Sequence, residues 1–346
     1  MRKLREAHKV SLIVFRTLVL ATALLLMGAL PTITSQRSGL FFAKRRGGLP
    51  VIQDMHTHTG NVFFVMTGGT DAVGYGLHPD APFATVDYAI GQCTANQGDT
   101  IYVMPGYTET ITNSARWTVD IAGIRIIGLG HGTTKPTITF GTDTSADIIV
   151  TAANILIKNF RFSCDIDSLV NFLDLDEDWC YIEDCDFVIV AAKEALGFIN
   201  LATTKDNFFF RRCSFLQGSD PTGTDGAVDT GAIFIIDSEN IFVEDCYFYG
   251  NFETAIFHNR TTACKNLWVV NCYGIQRLSG AEPFQLVAAA NGAMVGGGFI
   301  TPAEIAVTEA TLAGTLGDGF FILPPGNFGN DGGAGGQGGI IIATAS

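Results

Sequence analysis

Charge is scarce in this 346-residue chain: Asp, Glu, Lys and Arg together make 16% of it, against 47% hydrophobic residues. That balance excludes a disordered chain and leaves ample material for a large core. No Gly-X-Y period accompanies the 40 glycines, so collagen is excluded and a turn-rich β protein favoured. A C-x-x-C pair is missing, and with it the usual zinc spacing. Long helical runs are missing too. Parallel strands, if present, therefore cannot be joined by helical crossovers.

The basic residues are unevenly spread. Residues 1–49 hold nine Lys or Arg against the single Glu6, which leaves 12 basic and 33 acidic residues, a net charge of −21, for the remainder. A body of that sign repels phosphate backbones and excludes nucleic acid as its partner. The start, "MRKLREAHKVSLIVFRTLVLATALLLMGALP", has an apolar run from Thr17 to Leu30, too short to span a bilayer comfortably, with Arg16 spoiling a longer one. Residues 1–43 are read as a signal-like leader or a misassigned start, outside the fold, and the mature domain is expected not to insert into a membrane.

What is present is a repeat. "NILIKNFRF" (154–162), "WCYIEDCDF" (179–187), "NFFFRRCSF" (207–215), "NIFVEDCYF" (240–248) and "NLWVVNCYG" (266–274) align on one column: Phe160, Cys185, Cys213, Cys246, Cys272. "IRIIGLG" (124–130) is a looser, earlier copy. Apolar residues stand two apart before the column and two apart after it, but three apart across it, so each copy is a strand bent once and resumed. Asn159, Asp184, Asp245, Asn271 and, in the loose copy, Gly128 sit at the bend, residue types that tolerate left-handed backbone. Arg212 is the exception.

A further strand precedes the copies: "LVNFLDL" (169–175), "ALGFINL" (195–201), "AIFIID" (232–237) and "AIFHN" (255–259). Three short strands per repeat, with no helix between repeats, satisfy their hydrogen bonds by stacking each turn parallel on the last. The expected fold is all-β, a right-handed single-stranded parallel β-helix. In it the cysteine column faces inward as a structural core column of free, buried thiols. Cα atoms stacked along one column are a poor fit to disulfide geometry, despite the even count of eight Cys.

The expected organisation is a lead-in over 44–81, the β-helix over 82–279 with a capping helix at 83–95, and a small β-rich, glycine-rich element over 280–346. Phe83, Val86, Ile90 and Cys93 recur at helical spacing and would plug the open end of the coil. The apolar "GGIIIATAS" at the end is expected to pair within the fold or against a neighbouring subunit.

"PFATVDYAIGQCTANQGDTIYVMPGYTETI" (82–111) resembles the opening turn of pectate-lyase-like parallel β-helix proteins, a short helix, a Gly-Asp turn and a strand closed by Pro-Gly. Together with "HTGNVFFV" (58–65) it is similar to phage and prophage β-helix proteins held to be virion components. The resemblance covers roughly residues 48–275. It implies the fold, a virion or extracellular location and a homo-oligomer such as a trimer, and supplies no catalytic residues. The Trp-Ile-Asp-His signature of pectate lyases is absent.

Two motifs invite chemistry. "DMHTHTG" (54–60) offers a His-x-His pair, but only His78, His131 and His258 follow and none sits in a ligand motif, so no metal site is assigned. "LDLDEDWCYIEDCD" crowds seven carboxylates into one coil, from which Asp174, Asp176, Glu177 and Asp186 are taken as ligand-binding candidates. Asp174, Asn200, Asp237 and Asn259, at strand ends, are expected to form an outward polar column, which adds Asn200, Asp237 and Asn259 to the ligand-binding candidates. No cofactor is required, calcium being the one ion the acidic coil admits.

These readings give a phage or prophage virion-associated structural or adhesive protein, of tailspike, fibre or capsid-decoration type, that contacts other virion proteins and a surface polysaccharide. The alternative is a polysaccharide lyase or glycoside hydrolase on the same fold. A secreted bacterial surface protein is the further alternative. The enzyme question stays open, leaning against catalysis, because Asp and Asn are what such bends demand anyway.

Overall fold

The computed structural model describes residues 60–112, 117–190, 193–217, 228–252, 254–259, 262–276, 282–287, 289–300, 319–323 and 341–342. Residues 1–59, with His56 and His58, lie outside them. Three sheets run the length of the coil, of eleven, eight and seven strands, and consecutive neighbours in each are one turn apart in sequence. Every pairing is parallel except the last of the first sheet, so the chain is a parallel β-helix of seven complete turns. The coil is right-handed, the sense that right-twisted strands impose on parallel connections.

One turn shows the logic. Cys180–Glu183 lies in the first sheet, Asp186–Ile189 in the second and Ala195–Leu201 in the third, and the chain then returns to the first at Phe208–Arg211. Period-2 alternation buries Cys180, Ile182, Phe187 and Ile189 and leaves Tyr181, Glu183, Asp186 and Val188 outward. Between the first two strands Asp184 adopts φ +55°, and Cys185 is turned fully inward.

The bend column behaves as its residue types predict. Asn159, Asp184, Arg212, Asp245 and Asn271 all hold positive φ, between +52° and +63°. Each backbone N–H of the column donates to a carbonyl one turn further on, as from Asp184 to Arg211 and from Asp245 to Val270. The loose copy differs: Leu129 is only half-buried, and Gly128 is chosen for close approach, since a Cβ there would lie 2.3 Å from the Asn159 carbonyl oxygen.

Phe160, Cys185, Cys213, Cys246 and Cys272 are all buried, and the residue after each of the last four donates or accepts in the same backbone ladder, for example Ser214 N–H to Cys185 O at 2.9 Å. All eight cysteines are unpaired, buried thiols. Burial pushes the Cys180 thiol up to about 12 and the Cys246 thiol well above its usual value. Beside this column Phe162, Phe187, Phe215 and Phe248 stack at 5.1, 5.0 and 4.7 Å, each full burial contributing about 1.5–3 kcal/mol.

Both ends of the coil are covered in part. Val62–Val65, within the expected lead-in, is the first strand of the first sheet, paired with Thr100–Val103. The expected helix is confined to Val86–Ile90, capped by the Thr85 side chain, with Val86, Ala89 and Ile90 buried as a plug. At the other end Ile341–Ile342 pairs antiparallel with Gly319–Leu323. Among the described residues no helix is long and apolar enough to cross a membrane.

Candidate functional site

The outward face of the first sheet departs from what a solvated β surface needs. Successive turns place Leu156, Tyr181, Phe209, Phe242 and Trp268 in one outward register. Tyr181, Phe209 and Phe242 stack at 4.6 and 5.1 Å with planes within 6° of parallel. Rung spacing of about 4.8 Å makes that contact automatic for like side chains in one column. Their faces are consumed by one another, so solvent meets ring edges.

Trp179 supplies a face. It stands in a second bend column with Asn154, Asn207, Asn240 and Asn266, all at φ between +57° and +67°. Asparagine explains itself there: Asn240 and Asn266 form an amide ladder, with Nδ2–Oδ1 distances of 3.2 Å to Asn207 and 2.9 Å to Asn240. A tryptophan at φ +61° costs backbone strain of order 1–2 kcal/mol and brings no ladder bond. Its indole is 43% exposed and lies nearly parallel to Phe209 at 6.2 Å. One turn earlier in the same column Asn154 lines a depression together with Gly123, Arg125, Ile155, Leu156, Tyr181 and Glu183. The depression presents amide, guanidinium, phenol and carboxylate groups, and the exposed indole stands one turn on in the column of Asn154, an assortment that suits a ligand with apolar faces and many hydroxyls.

The neighbouring outward register is ionic. Lys158, Glu183, Arg211 and Glu244 alternate in sign on four successive turns, with Lys158 Nζ 3.0 Å from Glu183 Oε2 and Arg211 Nε 2.7 Å from Glu244 Oε2. Around the bend, burial works against the Asp184 charge, but Arg212 and Lys158 outweigh it and hold the carboxyl below its usual range. This register is self-neutralised, which makes the depression polar without making it strongly charged.

The sequence-derived candidates fall elsewhere. Asp174 and Asn200 do share an outward register on the third sheet, and Asn200 Nδ2 donates to Asp174 Oδ1 at 2.7 Å. Burial, offset by that bond but reinforced by Asp176 and Asp147, pushes the Asp174 carboxyl up to about 6. Glu177 accepts from Lys205 Nζ at 2.7 Å, and Asp186 from Lys135 Nζ and Ser214 Oγ, both at 2.8 Å.

The proposed column does not continue. The register after Asn200 holds Phe234 and then His258. Asp237 lies beyond its strand, where its carbonyl accepts from Thr204 N–H. Asn259 points inward and is 2% exposed; its amide donates to the Ile235 and Thr262 carbonyls. The reason is parity: Asn259 sits beside Ile235 in an inward register, and a buried turn needs its amide to satisfy backbone groups.

The aromatic column was legible in the repeat, at the third residue of "WCYIEDCDF", "NFFFRRCSF", "NIFVEDCYF" and "NLWVVNCYG". Trp179 also stands where the other copies begin with Asn. What pointed to both was the outward, odd-numbered position, which core reasoning passes over.

Among the described residues no group of three or more His, Cys, Asp or Glu is placed to hold a metal ion. No protein-family model and no curated protein matches the chain. Among solved structures a rhamnogalacturonan lyase is similar to it, with a TM-score of 0.42 and 14% identity, over 69% of this chain and 73% of that one.

Proposed function

We propose that this parallel β-helix is an adhesive, glycan-binding protein, and that it receives a sugar at Trp179, with the depression one turn earlier in the same column as the adjoining polar surface. The observation that carries the reading is Trp179 itself: a strained backbone persists only where something over-determines it, and the strain here exposes an indole where asparagine would lower the energy. Tyr181, Asn154, Arg125 and Glu183 supply hydrogen-bonding groups in the depression. A virion-borne or extracellular setting, contacts with other virion proteins and a trimeric assembly belong to the same proposal, supported by the likeness of residues 82–111 to phage and prophage β-helix proteins.

The test uses Trp179→Asn, which restores the residue type of the column and so leaves folding intact. Affinity electrophoresis through gels carrying soluble polysaccharides, preceded by a broad glycan array, should show retention of the unmodified protein and loss of it in the variant at unchanged melting temperature. Failure of the unmodified protein to bind any glycan, or equal binding by the variant, overturns the reading.

A second reading, polysaccharide cleavage, is favoured by one observation, the outward, half-buried Asp174 with its carboxyl raised to about 6. A carboxyl raised into that range can serve as the general acid of glycosidic cleavage. Release of reducing ends or unsaturated products, abolished by Asp174→Asn, would establish it.

A further inference from the structure

The N-terminal plug is tied to the first coil by acidic residues. Asp71 accepts from the Ala84 and Thr85 N–H groups at 2.7 and 3.2 Å and from Thr85 Oγ1 at 2.8 Å. Asp87, on the helix, accepts from Thr118 N–H at 2.9 Å. Glu109, on the second-sheet strand Thr108–Ile111, accepts from Trp117 Nε1 at 2.9 Å. Its Oε2 also lies 2.8 Å from the Tyr107 hydroxyl, which in turn lies 3.1 Å from the Ala84 carbonyl oxygen.

That last arrangement has one proton too few when Glu109 is ionised. A phenol has a single O–H, and here it faces two acceptors, the Glu109 carboxylate and the Ala84 carbonyl. If the carboxyl carries the proton, Glu109 donates to the phenol oxygen and Tyr107 donates to Ala84, and every group is satisfied. If it does not, one contact is lost or shared, and a negative charge is enclosed with Asp87 opposite it and Asp71 beyond Tyr107. Tyr107 cannot relieve this by ionising, because burial and Glu109 both push its phenol upward. From the strand beside it Glu109 meets Ile138, which carries no charge, and among the described residues no lysine or arginine is paired with it.

We propose that Glu109 makes the N-terminal plug a pH-responsive latch, closed while the carboxyl is protonated and loosened when it ionises. Burial raises the Glu109 carboxyl above its ordinary value, in keeping with this. The sign is fixed by linkage: the closed state binds the proton more tightly, so closure is strongest below the ordinary carboxyl pKa and weakens as pH rises through the raised one, by at most about tenfold in the opening constant per pH unit.

Hydrogen exchange of the full chain tests it. Amide protection at Val86–Ile90, corrected for the intrinsic pH dependence of exchange, should fall as pH is raised from about 4 to about 8, while protection in the central coils stays constant. In Glu109→Gln, which keeps the carbonyl acceptor and cannot titrate, the protection should be independent of pH. Constant protection of the plug in the unmodified protein overturns the proposal, whatever the variant does. So does an unaltered pH dependence in Glu109→Gln, or its disappearance in Asp87→Asn or Asp71→Asn alone.

Discussion

Arg212 and Asp184 hold the same bend on successive turns, and the guanidinium closes on the carboxylate through two hydrogen bonds, Nε–Oδ1 at 2.6 Å and Nη2–Oδ2 at 3.1 Å. That clamp is why the one long cationic side chain in the column tolerates a left-handed backbone, at φ +52°. Arginine replaces the local propensity of Asn or Asp with an interaction between turns.

Arg212→Asn should therefore be close to neutral, because Asn regains the backbone preference as it loses the clamp. Arg212→Val loses both and should cost about 1–2 kcal/mol from backbone strain alone. Urea melts of the three proteins at neutral pH decide this; equal stability of the Asn and Val variants would refute it. The Asp184 carboxyl is held below its usual range, so the clamp is in place above that range and is lost as pH falls through the depressed value. The gap between the unmodified protein and Arg212→Val should narrow in acid.

The cysteine column is expected to behave as frame. Cys246→Ala should cost about 1–2 kcal/mol through the cavity it leaves, whereas Cys246→Asp should prevent folding by burying an unpaired charge. Thiol alkylation followed by intact-mass measurement should find no reactive cysteine in the native protein and eight in the denatured one. Equal tolerance of Ala and Asp at position 246 would show that the column is not interior.

Asp174 gives a pH signature of its own. Its folded pKa, about 6, lies above the ordinary carboxyl value, so its contribution to stability is complete below that ordinary value and disappears as pH rises through 6. Asp174→Asn should raise the melting temperature at neutral pH and leave it little changed at pH ~4. Glycan binding at Trp179 should be unaffected, since Asp174 faces outward from the third sheet whereas Trp179 stands in the bend that leads into the first. A lower melting temperature at neutral pH in Asp174→Asn would mean that the ionised carboxylate is stabilising after all.

The architecture was written in the order of residue types. Period-2 strands broken once by Asn or Asp, recurring every 25 to 33 residues without helices between, admit little besides a parallel coil, and the inward Cys and Phe columns follow from parity alone. Parity within the strand decides Asn259: read as outward, it pairs with Ile235 in the inward register, while His258 beside Phe234 continues the outward one. Three-dimensional stacking decided the rest. Residues 24 to 36 positions apart become neighbours about 4.8 Å away, so Arg212 meets Asp184, Phe209 covers Tyr181 and one depression is lined from three turns. Glu109 is the plainest case: a single carboxylate in "GYTETI" has no local reason to be shifted, and only closure of the helix over the first coil encloses it with Tyr107, Trp117 and Asp87.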